Sequence, residues 1–178
     1  MAGFGGQGIM FMGKLLTTAC MREGKEVTWL PSYGPQMRGG IANCSIIVSD
    51  RSIASPYVDE PSSLMVMTRP SLDKYEPAVK SGGLILINSS LVKIESERKD
   101  LHVHKIPASE IAEQIGDIRV SNMAILGAFI GIKPLIPIDT LLDSLAQVLP
   151  TRHKNMLDSN RTALNRGFEL AMEGFKNG

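Results

Sequence analysis

Gly3, Gly5 and Gly8 stand in GxGxxG spacing, directly after the short apolar run Met1-Ala2-Gly3-Phe4 and directly before a helical pattern. A strand, a glycine turn and a helix in that order form the context in which this fingerprint acquires meaning. Glycine at these places permits a tight turn with positive backbone angles. It also lets a phosphate approach the main chain with no Cβ in the way, and lets the helix pack closely. The free amides at the helix start then favour an anion. Gly5, Gly6, Gln7 and Gly8 are therefore candidate phosphate-binding residues, with the Gln7 side chain as a further donor. The competing reading is a glycine turn that serves packing alone.

A second set lies on the loop at 31–40, which holds two prolines and three glycines among polar residues and so favours turns. In a doubly wound sheet this loop leaves from the same carboxyl edge as the glycine loop, so Tyr33, Gln36, Met37 and Arg38 can line one crevice with it. Arg38 offers planar, permanently charged recognition of phosphate or carboxylate. Asn88, followed by Ser89 and Ser90, ends a later strand at the same edge and joins the candidates, although loops there usually contain such residues. Asn43 and Ser45 share one face of a strand and read as structural. Asn122 begins an apolar helix and reads equally as a cap or a ligand contact.

A nicotinamide site needs an acid near the end of the second strand, roughly twenty residues on, to bind the ribose hydroxyls. That strand ends Trp29-Leu30-Pro31-Ser32, and Glu23 and Glu26 fall before it. NAD is therefore disfavoured. His102 and His104 share a strand face but lack a third ligand or a nearby carboxylate, a weak case for a metal or for acid–base work. No Ser/His/Asp or Cys/His arrangement is legible, so no catalytic residue and no metal ligand is assigned.

The elements that would position these residues follow from periodicity. Ile9, Met12, Leu15, Leu16, Ala19 and Cys20 recur at helical steps and predict a helix over 8–23. Residues 27–30 predict the second strand of a βαβ unit, closed by Pro31. Residues 41–50, with a turn at Asp50-Arg51 leading to 52–54, predict an antiparallel hairpin. Buried strands at 64–67 and 84–87 flank a helix at 70–80 with proline near its start. A strand at 101–106, a short helix from Ser109 to Gly116, an apolar helix from near Ser121, and helices at 139–149 and 153–175 complete the chain. The expected fold is α/β: a three-layer αβα sandwich over 1–178 as one domain, with a doubly wound, mostly parallel sheet, an antiparallel hairpin and a helical C-terminal tail.

Composition narrows the classes further. Nineteen basic against eighteen acidic residues give a formal charge of +1, which predicts no nucleic-acid or membrane partner. No apolar stretch reaches the roughly twenty residues of a membrane span, and no secretory signal opens the chain, so a cytoplasmic location is expected. Cys20 and Cys44 are the only cysteines; they fall in apolar patterns and read as reduced core residues.

Five blocks, AGFGGQGI at 2–9, WLPSYGPQMRGGIANCSIIVSD at 29–50, ASPYVDEP at 54–61, RPSLDKYEPAVKSGGLILINSS at 69–90 and RVSNMAILGA at 119–128, resemble the gamma subunit of 2-oxoacid:ferredoxin oxidoreductases, nearest the 2-oxoglutarate type. The resemblance covers nearly the whole chain. It departs in a very short first strand, which implies either residues ahead of Met1 in the natural protein or a small strand. The resemblance implies an enzyme subunit without turnover alone, in a complex that oxidatively decarboxylates a 2-oxoacid to an acyl-CoA and passes electrons to ferredoxin. Thiamine diphosphate and [4Fe-4S] clusters would be held by partner alpha, beta and in some cases delta subunits, since a cluster takes four thiolates. This chain would receive coenzyme A through Gly5, Gly6, Gln7, Gly8, Tyr33, Gln36, Arg38 and Asn88. Rival readings are an indolepyruvate-type subunit, a free NAD(P)-dependent dehydrogenase and a pure assembly module.

Overall fold

The computed structural model describes residues 1–33, 40–93 and 96–176, without the side chains of Tyr33, Phe175 and Lys176. Six strands form one sheet in the order β2-β3-β1-β4-β5-β6. They are β1 (Ala2–Phe4), β2 (Glu26–Tyr33), β3 (Ile41–Ser49), β4 (Ser63–Val66), β5 (Leu84–Asn88) and β6 (His102–Ile106). β1, β4, β5 and β6 run parallel, and β3 is antiparallel to both of its neighbours.

Alternation along the strands sorts the core into two layers. Met65, Met67, Leu84 and Leu86 face α1 (Ile9–Arg22) and the C-terminal helices, while Leu64, Val66, Ile85 and Ile87 face α2 (Arg69–Tyr75) and the 3-10 turn after it. The first layer is the thicker. α4 (Ser121–Ile132) is apolar on every side and is buried from Ser121 to Gly131. It lies among the sheet, α3 (Ala108–Ile115) and α6 (Leu157–Lys176), with α5 (Ile138–Val148) against α1. A Cβ on Gly127 would strike the Leu164 carbonyl oxygen, and one on Gly167 that of Ala124. Glycine at both places lets α4 and α6 approach backbone to backbone, so the C-terminal helix is a packed layer of the fold.

The α/β architecture matches the sequence-based expectation, and several elements differ in detail. β2 does not stop at Pro31; it continues to Tyr33, with Pro31 opposite Cys44. Proline is tolerated because β2 is an edge strand, where a missing N–H faces no neighbour. The hairpin is formed by β2 and β3, and residues 52–54 belong to no strand. β3 therefore intervenes between β1 and β2, and the simple βαβ unit is absent.

Candidate functional site

β3 is antiparallel to both β1 and β2, so β1 and β2 point the same way and their following loops share one edge. The Gly5 amide donates to the Gly40 carbonyl at 3.1 Å, tying the glycine loop to the end of the β2–β3 connection. The loop is closed from inside by Gln7. Its Oε1 accepts the Phe4 amide at 2.7 Å, and its own amide donates to the Phe4 carbonyl at 3.2 Å. The Gln7 carboxamide oxygen is thus a staple of the turn, leaving its amino group as the donor available to a ligand.

Gly5 and Gly6 are exposed, and Gly6 and Gly8 have φ of 98° and 72°, where a side chain is strained. Gly8 caps α1 with no side-chain hydrogen bond, and the first turn holds no carboxylate. The first-turn amides of a helix have no intrahelical acceptor, so the N-terminus of α1 presents uncontested donors and the positive end of its dipole.

Asn122, at the start of α4, completes the site from the far side of the sequence. Its amide donates to the Gly8 carbonyl at 3.2 Å, while its Oδ1 is buried with no partner among the described residues. Nothing in the local sequence pattern distinguishes this asparagine from a core hydrogen bond; only the packing of α4 beside the loop does.

The other candidates separate. Asn88 is fully buried and its amide donates to Ser109 Oγ at 2.9 Å, while its Oδ1 accepts the Ser90 and Ser109 amides at 3.3 Å each. These bonds fasten β5 to the start of α3 and occupy the Asn88 side chain within the fold. Gln36, Met37 and Arg38 and the side chain of Tyr33 lie outside the described residues. Asn43 and Ser45 are half-buried on the face of β3 opposite Cys44.

Glu26 pairs with Ser49, at the end of β2 away from Tyr33, and Glu23 accepts the Thr140 hydroxyl. Both acids are therefore at the edge opposite the glycine loop, out of place for a ribose. Among the described residues no group of three or more His, Cys, Asp or Glu could hold a metal. Both thiols are free and buried, and burial pushes Cys20 up to about 11 and raises Cys44 as well. Two separate, protonated thiols do not fit an iron–sulfur cluster. Burial, and then the neighbouring His102, lower the pKa of His104. No described helix is long and apolar enough to cross a membrane.

The family model for pyruvate ferredoxin/flavodoxin oxidoreductase matches residues 1–170. A relative described as 2-oxoglutarate synthase subunit KorC, from Methanocaldococcus jannaschii, is 33% identical, covering 97% of this chain and 92% of its own. Two relatives described as ketoisovalerate oxidoreductase subunit VorA are longer. The one from Methanothermobacter marburgensis is 38% identical over 74% of this chain, and the one from Methanothermobacter thermautotrophicus 33% over 98%. The chain spans only 27% and 36% of their lengths. Among solved structures, the gamma subunit of a keto/oxoacid ferredoxin oxidoreductase from Geobacter sulfurreducens superposes with a TM-score of 0.85 at 26% identity, over 97% of this chain and 94% of that one. A 2-oxoglutarate:ferredoxin oxidoreductase from Magnetococcus marinus shares the fold, with a TM-score of 0.87 at 23% identity, over 97% of this chain and 30% of that one. The chain belongs to the pyruvate ferredoxin/flavodoxin oxidoreductase family and has the build of its gamma subunits.

Proposed function

We propose that this chain is the gamma subunit of a thiamine- and iron–sulfur-dependent 2-oxoacid:ferredoxin oxidoreductase acting on 2-oxoglutarate, and that its glycine loop receives coenzyme A. The observation that carries the second half is the pairing at one spot of an uncontested helix N-terminus with the buried, unpartnered Oδ1 of Asn122. The amides favour phosphate. The Asn122 oxygen needs a donor, and the hydroxyls and pantetheine amides of coenzyme A possess one. Gly5, Gly6, Gly8 and the Gln7 amino group would hold the phosphate, and Tyr33, Gln36 and Arg38 remain the further candidate contacts. Coenzyme A supplies the thiol that accepts the acyl group; this chain binds and orients it. Thiamine diphosphate and the clusters would belong to alpha, beta and delta partners in the cytoplasm, and ferredoxin would meet the complex.

The substrate reading rests on three relatives covered over 92–96% of their own length and described as 2-oxoglutarate synthase subunits, at 31–33% identity. Ketoisovalerate is the second reading, because the 38%-identical relative carries that description.

Titration of the isotopically labelled chain with coenzyme A, and separately with inorganic phosphate, tests the site by amide NMR. Coenzyme A is expected to move the Gly6, Gly8 and Ile9 amides together with the Asn122 side-chain amide, and phosphate to move the backbone set. Silence at both would overturn the site. Anaerobic recovery of the tagged chain from its native cells, with 2-oxoacid-dependent reduction of a viologen dye, tests the subunit reading. A chain that comes out alone would sink it.

A further inference from the structure

β1 and β4 lie side by side and parallel, with Ala2 level with Val66, yet their continuations part. After β1 the chain turns through the glycine loop into α1, in the thicker layer, and returns as β2 on one side of β1. After β4 it turns through Thr68 and Arg69 into α2, on the other face, and returns as β5 on the opposite side. Adjacent parallel strands whose connections leave in opposite directions open a crevice between their carboxyl ends, and in open α/β sheets ligands bind there.

One lip of this crevice is the glycine loop with the N-terminus of α1. The other begins at Thr68, two residues past Val66 and so level with Phe4. The two chains are close here: a Cβ on Gly3 would stand 3.0 Å from the Cβ of Met67. Thr68 is buried, its hydroxyl engaged with that of Ser71 at 2.9 Å. Arg69, the first residue of α2, is exposed, and Pro70 beside it fixes the backbone of the first turn. The Arg69 Nε donates to Asp73 Oδ1 at 2.5 Å, one helical turn on. That bond leaves the two terminal amino groups of the guanidinium, with four N–H donors, without a partner among the described residues. Both side chains of the pair are about half exposed, at 44% and 54%, and an exposed pair at this spacing is weak. Asp73 therefore orients the guanidinium without withholding it from a phosphate, which can accept two parallel N–H bonds from it.

We propose that Arg69 is a specificity-determining residue of this crevice: from the lip opposite the glycine loop it binds a second phosphate, so that the site selects a nucleotide with two separate phosphate groups on one ribose over a nucleotide with one. The inference rests on the reading of the glycine loop as a coenzyme A site and deepens it. Coenzyme A carries a diphosphate at the 5′ position of its ribose and a phosphate at the 3′ position, and the two lips divide them. The α1 amides, which are neutral donors, take the diphosphate. The permanent charge of Arg69 takes the 3′-phosphate, whose terminal oxygens match a planar fork of donors.

The test titrates the isotopically labelled 178-residue chain with coenzyme A and with 3′-dephospho-coenzyme A, following the Gly6, Gly8 and Ile9 amides and the Arg69 Nε–H. Coenzyme A is expected to bind roughly tenfold or more tighter than the dephospho form and to shift the Arg69 Nε–H, which the dephospho form leaves in place. Arg69→Gln is expected to bind both alike, at the parent's affinity for the dephospho form. Asp73→Asn, which keeps the guanidinium and breaks its surface pair, is expected to retain the preference. A parent chain that binds both forms equally, or an Arg69→Gln chain that still prefers coenzyme A, overturns the proposal. A preference lost equally in both variants also overturns it, because the cause would then be the start of α2 and not the guanidinium. Movement of the loop amides by both ligands with no preference between them removes the role of Arg69 and leaves the coenzyme A site in place, whereas silence with both removes the site and this role together.

Discussion

The Asn122 side chain and the Gly8 carbonyl are joined by a hydrogen bond that spans 114 residues of sequence. A Cβ on Gly8 would run into that same Asn122 amide, and Gly8 sits at a φ of 72°. Gly8→Ala therefore incurs both a left-handed alanine and a collision, with an expected loss of about 1–3 kcal/mol. Asn122→Ala alone removes one buried donor, worth about 1 kcal/mol. The double variant is expected to be less destabilised than the sum, with a coupling of at least about 0.5 kcal/mol by urea unfolding. Strict additivity would mean that the two residues do not press on each other.

The α4–α6 contact makes a sharper contrast among glycines. Gly127→Ala or Gly167→Ala drives a methyl into a carbonyl of the facing helix, and neither carbonyl can rotate away as a side chain does. Each is expected to lose about 1–3 kcal/mol as the helices are forced apart. Gly174, in the last turns of α6, has open space around it. Gly174→Ala is expected to gain about 0.5 kcal/mol from helix propensity. Thermal melts of the three variants decide it, and a stabilised Gly167→Ala would refute the close packing.

Cys20 and Cys44 should be chemically silent in the folded chain. Burial raises both thiols, Cys20 to about 11, so both stay protonated at neutral pH, and the thiolate is the nucleophile. A folded pKa raised above the unfolded value of about 8.5 contributes stability below pH 8.5 that fades as pH climbs towards 11. Labelling with a disulfide reagent at pH 8 is expected to follow the rate of unfolding at both sites. Rapid labelling of either one in native conditions would contradict its burial.

The glycine loop, α1 and the buried strands were legible because their signals are local: turn residues, helical spacing and continuous apolar runs. The position of β3 was not. Residues 27–30 and 41–50 both read as strands, but antiparallel insertion of β3 between β1 and β2 is a long-range choice that no window of sequence contains. Pro31 misled for a related reason, since its meaning depends on whether its strand is at an edge. Asn88 and Asn122 show the same limit in the site. Both are buried asparagines beside strand or helix ends, and only tertiary packing shows that Asn88 satisfies itself against Ser109 while Asn122 turns its amide to the Gly8 carbonyl and leaves its oxygen without a partner among the described residues.

Acid sensitivity should trace in part to one ion pair. The Arg98 guanidinium grips Asp100 with 3.0 Å and 2.5 Å contacts, and that hydrogen bonding, with a lesser one from Ser81, holds the Asp100 carboxyl down at about 2. An unfolded aspartate titrates near 3.9. The folded pKa is the lower, so this contribution is fully present above about pH 4 and is lost as pH falls from about 4 to about 2. Arg98 also donates to the Val79 carbonyl at 2.6 Å and the Glu76 carbonyl at 3.2 Å, so Arg98→Ala weakens the chain at every pH. Asp100→Asn isolates the titrating part. It is expected to lower stability at pH 7 and to narrow its gap to the parent chain steadily between pH 4 and pH 2, while in the Arg98→Ala variant the Asp100 carboxyl resonance should titrate closer to 3.9. An Asp100→Asn chain that keeps the parent's full loss of stability across that window would show that the carboxylate is not the group responsible.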